Sequence, residues 1–333
     1  MKGRIRGAIV GCVLVGLLSL GCTGAPAAAP KAAPEATTIR IAKQPGLGYL
    51  SLIVMREKKL VEKYAPGVQV QWNELTSGPA IRDAIIAGQL DVGSGGVGPF
   101  IQAWAKGVKW RAAGSMNDMP LFLNTNKPEI SSLKDFKPGD KIAMPAPGSI
   151  QHVTMQMAAE KELGDPKALD GSVVAMAHPD ALQALIAKAD IVGHFTSPPF
   201  QYDELKNPGI KRILNSYEVV GGPHTFNLAW MNEEFKEKNP KLYQAFVDAL
   251  KEATELINSS PEESARIYVE GEKVKNTPED ILAQIKSDGI RFTMTPNGLM
   301  KYAEFMQRTG TIEKAPSSWK ELVFENIQNE AGS

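Results

Sequence analysis

The sequence predicts an α/β fold of two lobes around a central cleft, and three observations carry that expectation. The chain is 333 residues long, enough for two domains at roughly 100–200 residues each. Strand-like and helix-like patches alternate in two successive sets, and the last third turns mostly helical. With 43% hydrophobic and 22% charged residues the composition is that of a folded chain, which excludes wholesale disorder. The 37 Lys+Arg balance 37 Asp+Glu, leaving no basic footprint for nucleic acid. Two cysteines make neither a disulfide scaffold nor a multi-Cys zinc site.

The N-terminus reads as an address. Lys2, Arg4 and Arg6 precede an apolar run over 8–20. That run is shorter than the ~20 residues a membrane-spanning helix needs and has the form of a secretory signal. Leu18-Ser19-Leu20-Gly21-Cys22 resembles a bacterial lipobox, in which Cys22 receives lipid and becomes the new N-terminus. The alternative is an ordinary signal cut near Gly21 or Ala25. Residues 1–21 are then a leader, and 22–37 a lipidated cysteine with a Pro/Ala-rich tether. The stretch TGAPAAAPKAAPEA has no periodicity with which to bury a core. Lipid plus tether holds a folded domain beside a membrane without inserting it. Cys12 leaves with the leader and lipid blocks Cys22, so thiol catalysis has no candidate. Loss of Lys2, Arg4 and Arg6 makes the mature chain mildly acidic.

From Thr38 the elements follow in order. Residues 38–42 (TIRIA) form a β-branched strand, followed by the Gly-containing loop 44–49. Residues 50–64 have helical apolar spacing with Lys and Glu on the other face. A second strand covers 68–72, and Ser77 caps a helix running through 87 with Pro79 in its first turn. A strand at 90–92 ends in the glycine-rich loop 93–99, 100–106 is helical, and 110–114 is a fourth strand. Such β-loop-α repeats predict a mainly parallel sheet covered by helices. After Lys127 a second set begins, with strands at 141–144, 173–177, 191–195 and 210–215. Helices open at Ser149, running to 163, and at His178-Pro179-Asp180. Beyond Gly221-Gly222-Pro223 the chain changes character, and helices are expected at 240–259, 261–270, 278–286, 296–308 and 319–326. These return to pack on the first lobe.

In open parallel sheets ligands sit beyond the carboxyl ends of the strands, where the Gly/Ser/Pro loops fall. Facing loops of two lobes make a cleft that closes by hinge motion. Ser77-Gly78 and Gly148-Ser149 each precede a helix, whose unpaired N–H groups and partial positive charge hold an oxyanion without Lys or Arg. Gly95, Gly96 and Val97 form a third such loop. The plainer reading of each is a short turn and a helix cap. Gln44 and Tyr49 follow the first strand, Ser115 the fourth and Thr196 the one at 191–195, so all four join the candidates. His152, His178 and His194 fall at strand ends or helix starts, and are read as ligand contacts over the alternative of surface or capping histidines. No His spacing suits a metal, so a metal site is the minor reading and none is assigned. Tyr49 and Phe195 are candidate walls, while Phe100, Trp104, Phe200 and Trp230 suit core packing equally. Lys43 and Arg82 are possible partners for an anion. No GxGxxG follows a strand and no GxxxxGK[ST] occurs, so nucleotide phosphate has no support and no cofactor is expected.

Several blocks in order resemble the periplasmic substrate-binding proteins of the nitrate/sulfonate/taurine and thiamine-pyrimidine group of ABC importers (NMT1/THI5-like). They are TSGP at 76–79, AIIAGQLDVG at 84–93, PFIQAWAKG at 99–107, LKDFKPGDKIAMPAPGS at 133–149 and PDALQAL at 179–185. The resemblance spans about 38–326. Two departures, Ala187-Lys188-Ala189-Asp190 and the elaborate segment 192–200, leave the ligand class open. The resemblance implies a type II binding-protein fold with crossovers near 117–120 and 220–226. Lobe 1 is then 38–118 plus 226–326, and lobe 2 is 119–225. It also implies capture of a small organic anion (sulfonate-, taurine- or nitrate-like), passed to permease subunits served by a cytoplasmic ATPase. The protein is expected to be a monomer in the periplasm or on the envelope exterior, lipid-anchored, without nucleic acid and not an enzyme. The alternatives are a pyrimidine or thiamine-precursor binder, a related pyridoxal-phosphate enzyme, and a histidine-based metal binder.

Overall fold

The computed structural model describes residues 35–333; the leader, Cys22 and most of the tether lie outside the described residues. The end of the tether is fixed to the body. Glu35 accepts the N–H groups of Lys241 and Leu242, both at 3.1 Å, and the Ala36 N–H donates to Asn239 Oδ1 at 2.7 Å. A carboxylate here satisfies orphan donors at the start of the helix Pro240–Ser259 and complements its dipole. Among the described residues no helix is long and apolar enough to cross a membrane.

Among the described residues ten strands form two sheets. The chain first lays down β1 (Thr38–Lys43), β2 (Gln69–Glu74), β3 (Val92–Gly96) and β4 (Trp110–Asp118). It then crosses to β5 (Phe122–Thr125), β6 (Ile142–Met144), β7 (Val173–Ala175), β8 (Gly193–Phe195) and β9 (Lys211–Asn215), and returns as β10 (Thr225–Asn232). The orders are β2-β1-β3-β10-β4 and β7-β6-β8-β5-β9, so the two lobes repeat one plan. In each, the strand that arrives across the crossover, β10 or β5, inserts antiparallel between its neighbours. Each sheet is therefore mixed: four strands run one way, as the mainly parallel expectation has it, and the inserted strand runs against them. Both inserted strands went unread because they are buried on both faces and show no alternation.

Helices cover the sheets and follow their cap signals. Ser77 and Ser149 each accept the N–H of the third residue of their helices, and Gly164 at φ +77° ends the helix Ile150–Leu163. The helices Pro240–Ser259, Pro261–Glu272 and Pro278–Ile285 each begin on the proline. Three readings need correction. The helix at 50–64 is two, Leu50–Glu57 and Leu60–Tyr64, broken where Lys59 turns left-handed at φ 51°. Residues 319–326 form two short 3-10 turns, and Phe200–Leu205 is a helix the pattern did not disclose. Phe100, Trp110 and Trp230 pack with ring centroids 5.6 Å apart in the first lobe's core.

The two crossings are bonded to each other. The Leu121 N–H, between β4 and β5, donates to Ser216 Oγ at 2.9 Å. Ser216 in turn bonds His224 Nε2 at 2.8 Å, and His224 Nδ1–H donates to the Thr225 carbonyl at 3.0 Å as β10 begins.

Candidate functional site

The carboxyl ends of the parallel strands point into one space between the lobes. Gln44 follows β1, Gly78 opens the helix after β2, and Gly96 ends β3. From the other lobe come Pro145 after β6, His178 after β7 and Ser197 after β8. Pro45, Tyr49, Pro99, Ser149, Ile150, Gln151 and Phe226 complete the lining. The space is narrow, a cavity of about 10 Å³, room for about one water molecule, so a ligand of more than a few heavy atoms requires the lobes to part.

No lysine, arginine, aspartate or glutamate lines this space among the described residues. What the pocket offers an anion is backbone. Four helices begin at its edge, Gly78–Ile86, Val97–Ala105, Ile150–Leu163 and His178–Ile186, two from each lobe. Their first-turn N–H groups lack helical partners and carry the positive end of the dipole. Side chains add directed groups. Gln44 Nε2 meets Tyr49 OH at 2.5 Å, and burial pushes the Tyr49 phenol well above its ordinary range, so it stays protonated. Glycine at 96 is required by contact across the cleft, because a Cβ there would lie 2.6 Å from Ile150 Cγ2 of the opposite lobe. Beside it, Gln102 Nε2 donates to the Gly148 carbonyl at 3.2 Å, another bond between lobes.

Of the sequence candidates, Gln44, Tyr49, Gly78, Gly96, Ser149 and His178 meet at this pocket. The others do not line it. Ser77 spends its hydroxyl capping Ala80 N. Gly95, at φ +153°, backs the Gln44 side chain, and Val97 is wholly buried in the core. Ser115 faces Thr225 Oγ1 at 3.3 Å near the crossover. Gly148 adopts φ +79° and gives its N–H to His152 Nδ1 at 3.0 Å, so the ring proton of His152 is on Nε2, which donates to Asp170 Oδ1 at 3.0 Å, away from the pocket. His194 lies one layer back, Nε2 to His178 Nδ1 at 2.9 Å and Nδ1 to Glu204 Oε1 at 2.5 Å. Thr196 is fully buried, its hydroxyl without a protein partner. The possible anion partners are spoken for. Lys43 sits between Glu74 at 2.5 Å and Glu272 at 2.7 Å, and Arg82 pairs with Asp83 at 2.8 Å. Phe195, Phe100 and Trp230 are core, whereas Phe200 stacks on His178 with centroids 5.5 Å apart.

Sequence reasoning missed Gln151, Ile150, Phe226, Ser197 and the three prolines of the lining. Ile150 and Gln151 follow the Ser149 cap directly, and that position was the available signal. Phe226 lies on a strand that carried none.

The chain's relatives share this plan. A protein of Escherichia coli (strain K12) named as an aliphatic sulfonates-binding protein is 25% identical over 279 residues, 83% of this chain and 82% of its own. The alkanesulfonate-binding protein SsuA from Xanthomonas axonopodis pv. citri, solved bound to MOPS, superposes with a TM-score of 0.68 at 18% identity, covering 85% of this chain and 96% of that one. The periplasmic nitrate-binding protein NrtA from Synechocystis PCC 6803 superposes with a TM-score of 0.70 at 16% identity, covering 86% and 84%. The fold is that of the periplasmic binding proteins. The model of the NMT1-like family matches residues 32–270, and the chain belongs to that family.

Proposed function

We propose that this protein is the solute-binding component of an ABC uptake system and captures a small organic anion of sulfonate type by closure of its lobes. The observation that carries the reading is the meeting of four helix N-termini on a pocket with no charged side chain. Dipoles and free N–H groups favour a compact oxyanion there, while Tyr49, Ile150, Phe226 and the prolines wall a short apolar remainder. The sulfonate- and nitrate-binding relatives support the same ligand class. On this reading the protein works in the periplasm or on the envelope exterior, held by lipid on Cys22, as a monomer. Its closed form is what the permease and its ATPase partner receive. Residues of lobe 1 would be 38–118 and 226–326, and those of lobe 2, 119–225.

Among the described residues no lysine reaches the pocket, so a pyridoxal Schiff base has no partner there. Calorimetry and thermal melting with ethanesulfonate, taurine, nitrate and a neutral aminopyrimidine test the reading. A sulfonate at a hundred times its Kd stabilises the closed form by about 2.7 kcal/mol and raises the midpoint. A shift with the pyrimidine and none with any anion overturns it.

A further inference from the structure

Behind the pocket lies a relay that capture of an anion by helix termini does not itself require. Glu204, on the helix Phe200–Leu205, is completely buried, as is His194 on β8. Glu204 Oε1 stands 2.5 Å from His194 Nδ1, and its Oε2 accepts from Asn124 Nδ2 at 2.8 Å. His194 Nε2 then stands 2.9 Å from His178 Nδ1, and His178 Nε2 stands 3.3 Å from the Gln151 amide nitrogen at the pocket. We propose that Glu204 is a positioning residue for the ligand: through His194 it turns a bare His178 Nε2 toward the pocket and lets that nitrogen take up one proton together with an anionic ligand. This rests on the ligand being an anion.

The polarity follows from both ends. Glu204 Oε2 accepts from Asn124, and with Oε1 placed as an acceptor too the proton between it and His194 belongs to Nδ1. His194 Nε2 is then an acceptor, and His178 must donate Nδ1–H to it. That leaves a lone pair on His178 Nε2, and the group facing it, the Gln151 NH₂, is a donor. The arrangement extends the logic of a buried carboxylate that fixes a histidine tautomer and stabilises the imidazolium when it forms.

The surroundings make the proton conditional. Desolvation foremost, and then His194, hold the empty-site His178 well below the ordinary imidazole value, hence neutral. Facing His178 are His194, Gln151 and the Phe200 ring, and the protonated Tyr49 shares its pocket. Asp180, in the first turn of the same helix, is exposed. Glu204, relayed by His194, is thus the one carboxylate bonded into this histidine chain. When an anion arrives, a proton from solvent enters Nε2. The imidazolium then lies between the ligand's charge and the relay, and Glu204 compensates it through His194. The anion and its proton enter as a neutral sum, in a pocket with no fixed cation of its own.

Ethanesulfonate is the probe, because a sulfonate stays ionised across the useful pH range and any proton taken up resides on the protein. Calorimetry of the mature protein in buffers of different ionisation enthalpy is expected to show uptake approaching one proton per ligand. Because His178 is neutral in the free protein and protonated in the complex, affinity should fall by up to about tenfold per pH unit as pH rises above the range in which free His178 is charged. Glu204→Gln offers an amide N–H to His194, reverses the polarity and leaves a neutral donor at His178 Nε2, so proton uptake and pH dependence should vanish. Should that variant not fold, His178→Gln is expected to give the same flat profile, and the wild-type proton count decides by itself. Ethanesulfonate binding with no proton uptake and a flat profile overturns the relay and leaves the solute reading standing, as does undiminished uptake in Glu204→Gln. Failure of every anion tested to bind at any pH removes both.

Discussion

His224 sits where the chain crosses back to the first sheet, fully buried, with Nδ1–H on a carbonyl and Nε2 accepting from Ser216. Burial, against a smaller opposing effect of the Thr225 carbonyl, lowers its pKa from 6.5 to about 4. Above pH 6.5 the residue is neutral in both folded and unfolded chains and contributes no slope. As pH falls below 6.5 the unfolded chain takes a proton that the native state refuses, so stability drops until about pH 4. The full loss is about 3 kcal/mol, from the shift times 1.36 kcal/mol per unit. Denaturant unfolding of His224→Asn is expected to show lower stability at pH 7.5 but a clearly shallower decline between pH 6.5 and 4.5. An unchanged decline would move the linkage elsewhere, His178 being the group that acts in the same direction. The histidines also mark what a sequence discloses at this scale. His152 and His178 both stand at helix starts beyond strands, yet one is captured by the Gly148 N–H while the other faces the cleft. Spacing places a residue on an end; the direction of its ring depends on neighbours that only folding brings near. Glu204, ten residues from His194 on an unmarked helix, had no signal of its own.

Gly96 ends β3 and caps the helix Val97–Ala105 with φ −64°, a conformation any residue adopts. What demands glycine is Ile150, at the start of a helix from the other lobe, 2.6 Å from where a Cβ would stand. The contact exists only when the lobes are closed. Gly96→Ala is therefore expected to leave the open protein stable and to penalise closure by about 1–3 kcal/mol, the usual cost of overpacking. Calorimetry should show roughly 5–150-fold weaker ligand binding with an unaltered ligand-free melting midpoint; a matching loss of midpoint would place the clash within one lobe. Elements such as this one were legible from chemistry that is local. Serine caps, prolines at first turns and glycine-rich strand ends act within a few residues, so the helices at Ser77, Ser149, Pro240 and Pro261 were readable. The strands β5 and β10 were not, because each is specified by neighbours on both sides that lie far along the chain. With β10 went Phe226, and with β5 and β10 together the one reversed strand of each sheet.

At the scale of the molecule the question is what holds the lobes together when no ligand does. Beyond the pocket, Asn276, just before the helix Pro278–Ile285 of the C-terminal group, donates to both oxygens of Asp203 at 2.8 and 2.9 Å. Asp203 belongs to the helix Phe200–Leu205 of the second lobe, and one residue cluster on, Lys206 pairs with Asp280 at 2.9 Å. Tyr217 OH, also in the second lobe's chain, donates to the Gly289 carbonyl at 2.7 Å, and Arg308 pairs with Glu160. These bonds tie the C-terminal helices to the second lobe and, on the proposed closure, serve as a latch, with the bonded crossovers at Leu121, Ser216 and His224 as its hinge. Exposed pairs contribute little individually, but the doubly accepted Asn276 is half-sheltered and directed, worth about 1 kcal/mol. A ligand that binds the closed form has an apparent affinity proportional to the closed population. Asp203→Ala is accordingly expected to weaken ligand binding by up to about fivefold and to enlarge the radius of gyration of the ligand-free protein in solution scattering. Saturating ligand should restore the wild-type radius, because the ligand's own binding energy closes lobes whose pocket the substitution leaves intact. A radius that stays large at saturation would mean that Asp203 shapes the closed state itself, and the flank would then be part of the binding geometry and not merely a brake on opening.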